Sequence, residues 1–131
     1  MPDSSASSAS GDEQASAFDT GGVVRAASAG FTYLIVAELA AVVLGLVGLP
    51  GGLLIAIFAA AVYAVVGRRA ARANASPMLH GSVAAAGAYV LTIPLRFIAS
   101  DPEPAFVATG LVFAVVVGAI AGRIEANAGA T

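Results

Sequence analysis

Residues 31–45 read FTYLIVAELAAVVLG and are apolar except for Glu38, which lies near the middle of the run. A run of this kind is typical of a helix that crosses a lipid bilayer, since about 20 predominantly apolar residues span the hydrocarbon core. An ionised carboxylate at that depth costs on the order of 3 kcal/mol, so its presence needs a physical reason.

The composition excludes a water-facing surface over most of the molecule. Of the 131 residues, 11% are charged and 59% are hydrophobic, whereas soluble domains carry about 25% charged residues. The chain has no cysteine and one histidine, which excludes disulfides, a cysteine nucleophile and a histidine-rich metal site. No metal and no cofactor are therefore predicted. A net charge of −2 with scattered arginines predicts no nucleic-acid partner.

The basic residues are all arginines, and alanine, valine and glycine are abundant. This bias indicates a GC-rich genome, such as that of a halophilic archaeon or an actinobacterium.

Four apolar runs follow a polar tail. Residues 1–20 are rich in serine, alanine and acids and have few large apolar groups, so this segment is predicted to be a disordered cytoplasmic tail. Residues 21–131 are predicted to form an all-α integral membrane domain, an up-down bundle of four helices, because backbone polar groups in lipid must be satisfied within each helix. The predicted spans are 28–48, 50–67, 78–99 and 104–124. The second span is the shortest, and a re-entrant segment is an alternative there.

Arginine placement predicts the orientation in the membrane. Arg25 precedes the first span, Arg68, Arg69 and Arg72 lie between the second and third, and Arg123 ends the fourth. Cytoplasmic segments carry an excess of positive residues, so both termini are predicted to be cytoplasmic. The predicted location is the cell membrane, with the lipid bilayer as partner.

Small residues recur at every fourth position in two of the predicted helices. Such ladders let helix backbones approach closely inside a membrane, so they predict packing within the bundle. A homo-oligomer or contact with other membrane subunits is left open. The ladders are Gly52, Ala56, Ala60 and Ala64 in the second helix, and Gly110, Ala114, Gly118 and Gly122 in the fourth.

Glu38 is predicted to face into the bundle, because small residues share its face of the helix and β-branched residues oppose it. The third helix presents Tyr89, Thr92 and Arg96 on one stripe at three- and four-residue spacing. Counting about 1.5 Å per residue from the predicted helix starts places Glu38 level with Tyr89 and Arg96 roughly 10 Å further out. Arg96 is therefore expected to extend outward instead of pairing with Glu38.

Two interpretations of these polar residues stay open. In the structural one, the Tyr89 hydroxyl bonds to Glu38 and fixes the register of two helices. In the functional one, Glu38, Tyr89, Thr92 and Arg96 form an intramembrane proton or cation site. His80 lies near the cytoplasmic end of the third helix and is expected to be interfacial and non-catalytic.

No pattern in the sequence predicts an enzyme, because no nucleophile–base pair, phosphate loop or metal-ligand spacing is present. The first hypothesis is a structural or accessory subunit of a membrane assembly. The alternative is a small oligomeric proton- or cation-coupled transporter or channel that uses Glu38, and an intramembrane enzyme comes third. Four helices with a glutamate in the first resemble the arrangement of small multidrug-resistance transporters. The absence of tryptophan and the clear arginine bias separate this chain from that family, and it is not assigned to it.

Overall fold

The computed structural model describes residues 18–72, 74–99 and 101–131. They form an all-α bundle of four helices, α1 (Thr20–Leu46), α2 (Gly51–Ala71), α3 (Pro77–Ala99) and α4 (Pro104–Gly129). Each helix is long and apolar enough to cross a membrane, so this is a multi-pass membrane protein. The predicted disordered tail lies outside the described residues except for its last three.

Most helix ends follow signals that are visible in the sequence. α3 and α4 each begin at a proline, Pro77 and Pro104, because the first residue of a helix needs no amide hydrogen. The turn between α1 and α2 passes through Gly48 with a φ of 89°, a left-handed conformation that glycine adopts without strain. α2 is one continuous helix of 21 residues, which is long enough to cross a membrane.

The start of α1 differs from the prediction. The helix begins at Thr20, about two turns before the predicted start, and the Asp19 carboxylate caps it by accepting from the Gly22 amide at 2.9 Å. The Phe18 ring stacks on His80 with ring centroids 4.6 Å apart, and the Asp19 amide donates to His80 Nε2 at 3.1 Å. Contacts with α3 therefore order residues that the sequence analysis had assigned to the end of the tail.

α2 and α3 form the centre of the bundle. α1 and α4 each pack against both of them, whereas α1 and α4 make no contact with each other within the described ranges. The closest approach joins α3 to α4, where a Cβ added at Gly81 or at Gly118 would collide with the carbonyl oxygen of the other. Ala85 beside this contact is fully buried. Close backbone contact, not large apolar side chains, builds this core.

The two predicted small-residue ladders have different surroundings. In α4, three of the four residues are buried: Ala114, Gly118 and Gly122. In α2, the close approach predicted for the ladder is not seen, since none of its four residues is buried: Gly52, Ala56, Ala60 and Ala64. The buried face of α2 lies nearer its end and consists of Tyr63, Val66, Gly67, Ala70 and Ala71.

Both ends of the described chain and the loop between α2 and α3 lie at one end of the bundle. Asp19 and His80 join the start of α1 to the start of α3. Glu125 joins the ends of α4 and α2, because its carboxylate accepts from Arg68 Nε at 2.7 Å and from Arg72 Nε at 2.9 Å. We call this the arginine-rich end and the opposite end the outer end.

The contact between Gly81 and Gly118 predicts the cost of adding one methyl group. Gly118→Ala should lower the free energy of unfolding by about 1–3 kcal/mol, the usual cost of overpacking a core, although alanine favours a helix by about 1 kcal/mol over glycine. Gly45→Ala is the matched control, because a Cβ there would meet nothing within 4 Å. Denaturant titration in detergent micelles measures both. Equal stability of the two variants would contradict the packing described here.

Candidate functional site

An ion pair joins α1 to the last turn of α3, toward the end of the bundle opposite the arginine-rich end. Arg96 Nη2 donates to Glu38 Oε1 at 2.7 Å, which is the length of a charge-assisted hydrogen bond. The Arg96 side chain is 25% exposed and that of Glu38 is 36% exposed. Both residues belong to helices that are apolar enough to span a membrane, where an unpaired charge is costly, so pairing lowers the cost of keeping both charges there.

The sequence prediction that Arg96 extends outward without pairing was wrong, and the start of α1 explains the error. Measured from Thr20 and Pro77, where α1 and α3 begin, Glu38 lies about 27 Å along its helix and Arg96 about 28 Å along its own. The two residues are therefore at the same level. Placing the start of α1 two turns too late had created the apparent offset.

Tyr89 bonds to α4 instead of to Glu38, so the predicted hydrogen bond between Tyr89 and Glu38 was also wrong. The Tyr89 hydroxyl donates to the Val107 carbonyl at 3.0 Å. It reaches α4 over Gly110, where any Cβ would collide with the hydroxyl. Glycine at this position thus permits a polar link between α3 and α4.

The stripe predicted on α3 brings Arg96, Tyr89 and Thr92 together. The Arg96 guanidinium carbon lies 5.8 Å from the centroid of the Tyr89 ring, within the range of a cation–π contact. Thr92 is buried, and its hydroxyl donates to the Tyr89 carbonyl at 2.6 Å. Glu38 is connected to this group through Arg96 alone.

A cavity of about 310 Å³ adjoins the ion pair on the side of α2 and α4. It forms where α2 and α4 are not in close contact, and residues of both small-residue ladders, Gly52, Ala56 and Gly110, are part of its wall. The other lining residues are Ile55, Ala59, Tyr63, Tyr89, Arg96, Phe106, Thr109 and Phe113. Apolar walls with one guanidinium and two phenols suit an apolar body that carries a polar end.

Tyr63 belongs to this site and was missed by the sequence analysis. It is buried in the core, where it contacts Leu34, Tyr89 and their neighbours, and its ring meets Phe113 edge-on at 6.2 Å and 73°. The available signal was that Tyr63 carries the only hydroxyl group in α2. A buried tyrosine usually finds a partner for its hydroxyl, so a lone one in an apolar helix indicates an inward face.

His80 is fully buried, whereas the sequence analysis expected an interfacial side chain. Its Nε2 accepts from the Asp19 amide, so Nδ1 carries the ring proton and donates to the Ser76 carbonyl at 2.8 Å. Both ring nitrogens are thus engaged by the backbone, and the ring holds the start of α1 against α3. No group of three or more potential metal ligands occurs within the described ranges.

No family model, curated protein or solved structure shows significant similarity to this chain. Its function is therefore inferred from the contacts above.

The ion pair predicts that the effects of two substitutions on the free energy of unfolding are not additive. Glu38→Gln leaves the Arg96 guanidinium without its carboxylate, and Arg96→Gln leaves the carboxylate without its cation, so each should lower the free energy of unfolding by on the order of 2 kcal/mol. The double variant removes both charges and should recover most of that loss. Denaturant titration of all four proteins in micelles gives the coupling free energy. Additive losses would show that the pair contributes no net attraction.

Proposed function

We propose that this protein is a non-enzymatic structural or accessory subunit of a membrane assembly. The observation that carries the proposal is the ion pair, because the intramembrane carboxylate of Glu38 is bonded to Arg96 of the same chain. A proton-coupling carboxyl must take up and release a proton during its cycle. An arginine is always charged, and at 2.7 Å Arg96 already serves as the counter-ion of this carboxylate, as a structural role requires.

The form of the molecule supports an accessory role as well. The described connections between helices are short, with α2 beginning at Gly51 soon after α1 ends at Leu46, and α4 beginning at Pro104 soon after α3 ends at Ala99. Most of the surface that this part of the chain offers is thus the apolar outside of four helices. Partners would be met inside the bilayer, through helix packing.

The alternative is a small oligomeric proton- or cation-coupled transporter or channel that uses Glu38. The cavity beside Arg96 favours it, because a solute could enter there and compete for the guanidinium. Such a solute would have to break the bond between Arg96 and Glu38, which would free the carboxylate. An intramembrane enzyme is a weaker candidate, since the site brings no nucleophile to a base.

Flux measurements distinguish the two functions. Purified protein is reconstituted into liposomes with an internal pH dye, and proton, sodium and potassium gradients are imposed in turn. An accessory subunit should pass no more ions than protein-free liposomes. The Glu38→Gln/Arg96→Gln protein should also pass no more ions than protein-free liposomes. On native gels of digitonin extracts, the wild type should co-migrate with a second membrane protein, its partner in the assembly, and the double variant should co-migrate with that same partner. A proton or cation flux that Glu38→Gln abolishes would overturn the accessory role and establish transport.

We further propose that the arginine-rich end is cytoplasmic, since positive residues are retained on that side. The chain has no cysteine, so a single cysteine at exposed Ala75 or exposed Asp101 reports the side unambiguously. A membrane-impermeant thiol reagent should label position 101 in intact cells and position 75 only after lysis. The reverse pattern would invert the orientation.

A further inference from the structure

A second cavity, of about 340 Å³, opens at the arginine-rich end between α1 and α2. Arg25 of α1 and Arg69 and Arg72 from the end of α2 line it, together with Asn74. Asp19 is also part of the wall, and one oxygen of its carboxylate is occupied by the Gly22 amide. The cavity therefore collects three guanidinium groups from two helices, and these groups outnumber the carboxylate.

Two of these arginines are held in place by neighbouring side chains. Arg69 Nη1 donates to the Tyr33 hydroxyl at 3.2 Å, and the guanidinium carbon of Arg69 lies 5.7 Å from the Tyr33 ring centroid. Arg72 Nε donates to Glu125 at 2.9 Å. A guanidinium has five N–H donors, so each of the two side chains has a described partner and keeps donors for a ligand.

Arg25 differs from the other two arginines of the cavity. It is exposed and forms no hydrogen bond or ion pair within the part of the chain that the structure describes. It lies on the wall opposite the end of α2, so a bound anion would lie between Arg25 and Arg69.

We propose that this cavity binds a phosphate group, as a monoester or a diester. The planar fork of arginine matches two phosphate oxygens at once. Basic pockets between membrane helices, at the level where a bilayer presents its headgroups, bind anionic phospholipids through the same chemistry. The source of the phosphate is a lipid headgroup or a soluble phosphate compound, and the experiments below separate the two.

Retention of positive residues on one side of the membrane explains arginines anywhere at this end, but not their convergence on one cavity. Arg123 lies at the same end, on α4, and does not line the cavity. It carries the same charge as Arg25 and is exposed like it. Arg123 is therefore the matched control for attraction that depends on charge alone.

The test uses the full chain in detergent micelles doped with phosphatidylglycerol, with native mass spectrometry to count bound lipid. Arg25→Gln and Arg69→Gln should each weaken lipid binding about tenfold or more, the usual loss for a charge-assisted hydrogen bond. Arg123→Gln should change it by less than about twofold, as expected for an exposed, screened charge. Equal losses in all three variants would overturn the proposal, because they would reflect net charge only.

A conservative substitution distinguishes a specific phosphate site from a surface that attracts anions by its charge alone. Arg69→Lys keeps the charge and loses the fork, so lipid binding should still fall several-fold. Full retention by Arg69→Lys would overturn bidentate recognition. The thermal unfolding midpoint of each variant without added lipid is measured in parallel, and lipid binding is compared only among variants that retain the wild-type midpoint. If Arg69→Gln loses stability, Arg25→Gln carries the test, since Arg25 has no described partner to lose.

Inorganic phosphate identifies the source of the ligand. If the site takes a free phosphate, inorganic phosphate should raise the unfolding midpoint of the wild-type protein, but not of Arg25→Gln, and should displace phosphatidylglycerol. If the site takes a headgroup, phosphatidylglycerol alone should raise the midpoint, and phosphatidylcholine should not. A wild-type protein that responds to neither phosphate nor phosphatidylglycerol would overturn the proposal.

Discussion

Helices in a bilayer gain little by burying apolar side chains against one another, because lipid tails are equally apolar. Close backbone packing and polar bonds must therefore hold such a bundle together. Here the close packing is concentrated between α3 and α4, where Gly81 meets Gly118. Polar bonds connect most of the other contacting pairs: Asp19–His80 and Glu38–Arg96 join α1 to α3, Arg69–Tyr33 joins α2 to α1, and Arg68 and Arg72 join α2 to α4 through Glu125.

The same constraint explains where the cavity beside the ion pair lies. At the arginine-rich half, Gly67 approaches the Gly118 backbone so closely that a Cβ there would crowd the Gly118 carbonyl at 2.8 Å. At the outer half, a Cβ at Gly52 would meet nothing, and α4 is held to α3 by the bond from Tyr89 to the Val107 carbonyl instead. α2 is left without a comparable attachment there, and a space remains between it and α4.

The sequence predicted the fold well because the signals are local. The length of the apolar runs and the prolines at two helix starts each concern one helix, and the four spans were found from them. The pairing of Glu38 with Arg96 depends on the relative depth of two helices. That depth depends on where α1 begins. The start is capped locally by Asp19 and is also held by a contact between Asp19 and His80, which are far apart in sequence. Tyr63 was missed for the same reason, since its burial depends on neighbouring helices.

The arginines show why composition cannot assign a role to a charged residue in such a chain. Arg96 lies in the last turn of α3 and has a carboxylate partner in α1, so its charge is satisfied internally. Arg68 and Arg72 share the carboxylate of Glu125, which leaves that end of α2 with more cations than anions. Arg25 has no described partner at all. Under the phosphate proposal an anion is expected at the arginine-rich end and not at Arg96, because within the described ranges positive charge is left unbalanced at that end.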